Sequence, residues 1–273
     1  MEDILRLRFM KDLKSVFIGG KQIGADCLRS TVQAGFKPLF VVANPDDSGT
    51  DSWHESLVKV SKELGITCVT GEKPKDADVV QQIAEAKPDI IFCIGSTELI
   101  PPSILEVPHL GTINIHPALL PKYRGRYSIP HAIFAGEKEA GVTLHFMDAG
   151  IDSGPIILHA SFPLTEDDTA RTAYDAFTAT GTILFGDFLT MLSQADTITS
   201  QPQREQDAIY FPKGLPNNGE IDWSWDGQKI RRFIRAMTFE PFPPPTFKIG
   251  GKTMAIADER SFTVTPQSDT KDK

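Results

Sequence analysis

The chain has 273 residues, 40% of them hydrophobic and 23% charged, enough to bury a core as one large domain or as a main domain with a small appendage. Its 28 Lys and Arg against 36 Asp and Glu leave a formal net charge of −8. That balance disfavours a polyanionic partner such as nucleic acid but allows a small anionic substrate held by two or three local cations. Three scattered cysteines, Cys27, Cys68 and Cys93, exclude a disulfide framework or a Cys-built zinc site and suit a reducing compartment.

The opening residues 1–14 alternate charges with Ile4, Leu5, Leu7, Phe9 and Met10, without the apolar stretch of a signal peptide. Apolar runs such as 90–94 are far too short to span a bilayer, so a soluble, cytoplasmic protein with no membrane partner is expected. Residues 15–18 read as a buried strand broken by Gly19 and Gly20, 25–34 as a helix stopped by Gly35, and 39–43 as the next strand. A polar loop over 44–52 leads to a helix over 55–64, with Leu57, Val60 and Leu64 on one stripe. A short strand over 67–69 and a helix over 76–86 follow. The continuous apolar run 90–94 suits the middle of a parallel sheet, and 112–115 is the next strand. Strands separated by helices of this length predict βαβ units and an open, doubly wound α/β sheet, which binds ligands outside the carboxyl ends of its strands. That rule points to 19–24, 95–98 and the loop after 115.

Beyond that strand, 116–126 is a loop rich in Pro, Gly and cations, and 128–135 is a short helix. Strands over 141–147 and 156–162 flank a turn-rich loop at 148–154, and 168–192 is a long helix. From about 197 the chain turns polar and Pro-rich. It then gathers Tyr210, Phe211, Trp223, Trp225, Phe233, Phe239, Phe242 and Phe247 into what reads as a small C-terminal module. The expected organisation is a catalytic domain over 1–195, the module over 196–264 and a solvated tail over 265–273.

The familiar nucleotide signatures are absent. After the first strand the glycines are Gly19, Gly20 and Gly24, with Lys21 where G-x-G-x-x-G needs glycine. There is no phosphate loop, nucleophile elbow or metal-type histidine spacing, so no metal is expected. Asn114 and His116 lie two apart at a strand end, so their side chains share a face and could stabilise a developing oxyanion. Alone, they are better explained as a polar pair capping the loop. Asp152, between Gly150 and Gly154, reads alone as an Asx-turn residue, yet adjoining strand ends could bring its carboxylate to His116 and favour the protonated ring. Three such groups converging on the ligand edge outweigh the separate structural explanations. His131, His145 and His159 read as packing or surface residues.

The run Asn-Ile-His-Pro-Ala-Leu-Leu-Pro-Lys-Tyr-Arg-Gly over 114–125, Gly-Val-Thr-Leu-His over 141–145 and Gly-Ile-Asp-Ser-Gly-Pro-Ile-Ile over 150–157 resemble the folate-dependent formyltransferase family. That family includes the glycinamide ribonucleotide, methionyl-tRNA and nucleotide-sugar enzymes, and the likeness in layout runs from about 14 to 192. It implies a Rossmann-like formyltransferase core and transfer of a formyl group from N10-formyltetrahydrofolate, a co-substrate, to an amine. Protonated His116 and Asn114 would stabilise the oxyanion. Asp152 would position His116, raise its pKa and help, through water, to remove the amine proton. The folate would lie between Gly95, Ser96, Thr97, Glu98 and Leu99 on one side and the loop of Asp148 and Gly150 on the other, held largely by backbone groups.

Which amine is formylated turns on the rest of the chain. The short appendage and acidic charge argue against tRNA, and the chain extends beyond what a glycinamide ribonucleotide enzyme needs. Phe-Pro-Lys-Gly-Leu-Pro-Asn-Asn-Gly-Glu-Ile-Asp-Trp over 211–223, Ile-Arg-Arg-Phe-Ile-Arg-Ala over 230–236 and Pro-Phe-Pro-Pro-Pro over 241–245 look like segments that follow the catalytic domain in nucleotide-sugar N-formyltransferases. Related segments also occur in the tRNA enzymes. The resemblance implies an NDP-linked amino-deoxy sugar as acceptor, for O-antigen or related glycan synthesis, with a homodimer through the aromatic appendage. Cations for the diphosphate are Lys122, Arg124 and Arg126; Arg231, Arg232 and Arg235 fall on two helical faces and cannot all reach one site. Arg124, within Tyr-Arg-Gly, more readily shapes its loop through backbone carbonyls. The alternatives are methionyl-tRNA or an ornithine derivative as acceptor, a hydrolase releasing formate, and a non-catalytic nucleotide-binding module, against which the intact Asn114–His116–Asp152 set argues.

Overall fold

In the computed structural model, which describes residues 13–194 and 197–256, the sheet is built on its most apolar runs. β1 (Ser15–Gly19) pairs in parallel with β4 (Ile90–Ile94), Phe17 opposite Phe92, and both are buried along their whole length. Strands covered on both faces must be apolar throughout, which is why neither shows alternation. β2 (Val41–Ala43) and β3 (Cys68–Val69) extend the parallel sheet on one side, and β5 (Thr112–His116) on the other. The two-residue β6 (Arg124–Gly125) lies outside this sheet. β7 (Glu139–Phe146) runs antiparallel to β5, and β8 (Ile156–Pro163) antiparallel to β7, giving the order β3-β2-β1-β4-β5-β7-β8. The connection over 147–155 is too short for a crossover helix, so these strands close as a hairpin and the sheet of the α/β core is mixed.

Helices cover both faces. α1 (Lys21–Gln33) and α2 (Leu57–Glu63) pack on the face carrying Phe17 and Phe92, while α3 (Ala77–Ala86) and α4 (Pro102–Leu105) cover Val16, Ile18, Ile91 and Cys93 on the other. α1 begins at Lys21 rather than at 25, because the Gly19–Gly20 turn feeds straight into it. α5 (Ser128–Ala135) follows the Pro- and Gly-rich loop over 116–126. α6 (Ala170–Gln194) is long and apolar enough to cross a membrane by length and composition, but it is a core helix here. Its Phe185 and Phe188 pack edge-on against Phe92 at 5.4 and 6.5 Å.

The later aromatic residues do not form one core. β9 (Tyr210–Phe211) pairs in parallel with β6, which carries Phe211 between Tyr123 and His131, at ring distances of 5.4 and 4.0 Å. Phe239 and Phe242 join the main core beside Trp53, Tyr174 and Tyr127. Only the third group is local: α7 (Gly227–Met237) packs Ile230, Phe233, Ile234 and Met237 with Phe134 of α5, Trp225 and Phe247. A hairpin of β10 (Thr246–Ile249) and β11 (Lys252–Ala255) follows. The segment is dispersed because its ladder with β6 ties it onto the α/β core. The predicted charge-alternating start over 1–12, the boundary at 195–196, the end of the module and the 265–273 tail lie outside the described residues.

Candidate active site

The carboxyl end of β5 carries Asn114 and His116, and the antiparallel pairing with β7 sets His145 directly opposite Asn114. His116 is 4% exposed. Its Nε2 lies 2.8 Å from the Tyr123 carbonyl and its Nδ1 3.4 Å from Asp152 Oδ2. Both ring nitrogens therefore face oxygen. The Nε2 contact is a full hydrogen bond, whereas the Nδ1 side is looser and faces the carboxylate.

Asp152 reaches His116 from the 148–154 loop through a backbone in the left-handed region, at φ +51°. Few residues other than glycine adopt that conformation, and aspartate is among those that tolerate it best. Its Oδ2 also accepts from the Gly125 amide at 2.8 Å, which locks it to the catalytic loop. Gly125 itself has φ +94°, and a Cβ there would fall 2.1 Å from the Phe211 carbonyl, so glycine is required where the loop meets β9.

His145 is the member that the sequence pattern assigns to packing. Its Nδ1 lies 2.7 Å from the Phe146 carbonyl and its Nε2 3.0 Å from Asn114 Nδ2. The consistent tautomer is neutral: Nδ1–H donates to the carbonyl, and Nε2 accepts from the Asn114 amide. His145 thereby fixes which way Asn114 points. Only the β5–β7 register places it there, and a single sequence does not contain that register. Burial dominates in holding the His145 ring neutral, with its pKa pulled down to about 4, against the raising influence of Asp152.

This neutral histidine makes stability pH-dependent. The unfolded chain takes up a proton near pH 6.5, while the folded protein resists it down to about pH 4. The stability is thus fully present above that window and is lost as pH falls through it, by roughly 1.4 kcal/mol per unit. Thermal unfolding of wild type and His145→Gln between pH 7.5 and 4.5 checks this: the variant should lose stability less steeply on acidification. Parallel slopes would contradict it.

The remaining predicted residues surround this centre. Gly95, at φ +71°, turns the chain after β4, where a Cβ would fall 2.2 Å from the Gly20 carbonyl. Asn44 braces the same turn, donating to the Gly95 carbonyl and accepting from the Thr97 amide. Ser96 closes a local loop with Glu98, and Leu99 is 69% exposed. Asp148 Oδ1 accepts from the Gly150 amide and the Ser153 hydroxyl, shaping the second loop. Lys122 is exposed, and Arg126 reaches the Thr97 carbonyl at 3.3 Å, joining the 95–99 loop to the catalytic loop. Arg124 is buried, and its guanidinium is committed within the chain, so the expectation of a substrate-gripping cation is corrected. It bonds Gln203 and Glu205, side chains rather than the predicted carbonyls. Arg232 and Arg235 turn to the Phe134, Thr165 and Asp168 carbonyls.

One cation that the motif search treats only as a missing glycine belongs at this edge. Lys21 opens α1 with φ +60°, behind Gly20, which provides no side-chain cap, and the first turn holds no acidic residue. A lysine there opposes the helix dipole. Burial, then the like charge of Arg126, lower the affinity of Lys21 for its proton, with Asp46 opposing. Lys21 and Arg126 thus bring two positive charges to the crevice between β1 and β4, where open α/β sheets take their ligands.

An amide, an imidazole and a carboxylate thus converge at the carboxyl edge of the sheet, a set of groups suited to acyl transfer without a covalent nucleophile. Among the described residues there is no cluster of three or more His, Cys, Asp or Glu able to hold a metal. Residues 13–188 match the family model for formyl transferase, and the chain belongs to that family. It is 31% identical over 239 residues to the methionyl-tRNA formyltransferase of Citrifermentans bemidjiense, covering 86% of this chain and 74% of the relative. It is 33% identical over 249 residues to that of Pelotomaculum thermopropionicum, covering 89% and 78%. Among solved structures it resembles the sugar 3N-formyl transferase WlaRD, studied with dTDP and 5-N-formyl-THF (TM-score 0.71, 26% identity, 88% of this chain and 83% of that one). It also resembles the N-formyltransferase of Helicobacter canadensis in complex with folinic acid and dTDP-3-aminofucose (TM-score 0.72, 27% identity, 88% and 85%).

Proposed function

We propose that the chain transfers a formyl group from N10-formyltetrahydrofolate to the amino group of an NDP-linked amino-deoxy sugar, in the cytoplasm, for O-antigen or related glycan synthesis. The observation that carries the acceptor is the likeness, over 88% of the chain, to two N-formyltransferases studied with dTDP or a dTDP-amino sugar. The Lys21–Arg126 pair, at the edge where open α/β sheets take their ligands, supports a diphosphate-bearing acceptor. A second reading, methionyl-tRNA as acceptor, is favoured by the 31–33% identity to the tRNA enzymes.

The donor supplies an electrophilic formyl carbon, flanked by the 95–99 and 148–154 loops. Attack by the amine forms the new C–N bond and places negative charge on the formyl oxygen. The Asn114 N–H not used by His145 and the His116 ring face that charge. Asp152 accepts the amine proton, directly or through water, and the proton passes to the folate nitrogen as its bond to the formyl carbon breaks. Tyr123, through its carbonyl, keeps the His116 ring from turning.

The deciding experiment incubates the protein and N10-formyltetrahydrofolate with a panel of amino-sugar nucleotides, initiator Met-tRNA and ornithine derivatives, reading tetrahydrofolate release and a formyl mass shift. Turnover on a sugar nucleotide alone is expected; turnover on Met-tRNA alone would install the second reading. On the accepted sugar, Lys21→Gln should raise the acceptor KM about 10- to 100-fold, the loss of one charge-assisted hydrogen bond, and leave kcat within about twofold. An unchanged acceptor KM would remove Lys21 from the diphosphate site.

A further inference from the structure

The segment that follows the catalytic domain carries a side chain that no step above uses. Gln203 is partly buried, between the Asp152 loop and the catalytic loop. Its Nε2 donates to the Asp152 carbonyl at 2.8 Å and to the Gly154 carbonyl at 2.7 Å. Its Oε1 accepts from Arg124 Nε and Nη2 at 3.0 and 2.9 Å. An amide has two donors and two acceptor sites, and all four are used here. Just upstream, Gln201 and Ile156 exchange both backbone hydrogen bonds at 2.8 Å, fixing the segment along the start of β8.

We propose that Gln203 is a positioning residue for formyl transfer, whose amide holds the loop bearing Asp152 against the loop that closes over His116. The hydrogen bonds form a closed ring. Gln203 holds the Asp152 backbone, the Asp152 carboxylate holds the Gly125 amide, and the adjoining Arg124 returns to Gln203. On the other side of Arg124, the Tyr123 carbonyl holds His116. Asp152 sits at φ +51°, a conformation that persists only where its surroundings impose it, and the Gln203 bond to its carbonyl is part of that imposition. The 3.4 Å separation of Asp152 and His116 is already long for a hydrogen bond, so a small shift of either loop breaks their contact. The segment after the catalytic domain thereby becomes part of the active site without touching substrate.

This inference rests on the formyl transferase family and not on which amine is accepted. Its test compares Gln203→Ala and Gln203→Glu with wild type on whichever acceptor turns over. The glutamate keeps the pairing with Arg124 and sets a carboxylate against the two carbonyls, so it removes only the hold on the Asp152 loop. Both variants should lose about 10- to 100-fold in kcat, the scale of a misplacement near 1 Å, with the folate KM within about twofold. Glu205→Gln, which weakens the outer ion pair of Arg124 alone, should keep wild-type kcat. In an Asp152→Asn background the Gln203→Ala penalty should vanish, since the two act through one contact. Amide exchange of Gly125 should quicken in Gln203→Ala while that of β4 does not, and this readout needs no acceptor. Wild-type kcat and exchange in both variants, or an equal penalty in the Asp152→Asn background, would overturn the proposal.

Discussion

His116→Ala lowers kcat for formyl transfer by about 10²- to 10³-fold, the cost of removing one preorganised donor from a developing oxyanion. The ring is buried and held at both ends, by the Tyr123 carbonyl and the Asp152 carboxylate, so it meets the reaction in one orientation. Its loss also leaves the Tyr123 carbonyl without that partner, at about 1–3 kcal/mol, which a fall in thermal midpoint would register. The folate KM should change little, because in the proposed reading the donor is held by the 95–99 and 148–154 loops rather than by the ring. Steady-state kinetics with a thermal melt on the same sample separate these effects. Turnover within a few-fold of wild type would remove His116 from the chemistry.

Asp152→Asn is expected to cost about 10³-fold while leaving the fold intact. The asparagine oxygen can still accept from the Gly125 amide, so the loop keeps its anchor. That same oxygen faces His116 Nδ1, so the new amide nitrogen takes the place of Oδ1, 3.7 Å from His145 Nε2, and what is lost is the negative charge beside the two rings. The proton acceptor for the amine is lost at the same time, which by itself contributes about 10²- to 10⁴-fold. A melting temperature near wild type with kcat reduced on this scale is the expected pair of results. A variant that retains most of its kcat would show that the carboxylate charge does not act in transfer.

The sequence by itself determined the order of the strands through β5 and of the helices among them except α4, because their apolar runs are continuous and several of their stops are glycines. It also singled out Asn114, His116 and Asp152 as candidates, since strand periodicity and a Gly-flanked aspartate are local patterns. The directions of β7 and β8, and with them the place of His145, required the register between strands far apart in the chain. Lys21 reads in sequence as an interrupted glycine motif; its meaning depends on Arg126, which only the fold brings near. Arg124 looks like a free cation until Gln203 and Glu205 are folded back against it. Local conformational preference is written along the chain, residue by residue. The pairing of charges and hydrogen bonds across 50 to 80 positions is decided by which surfaces pack, and only the tertiary structure contains that.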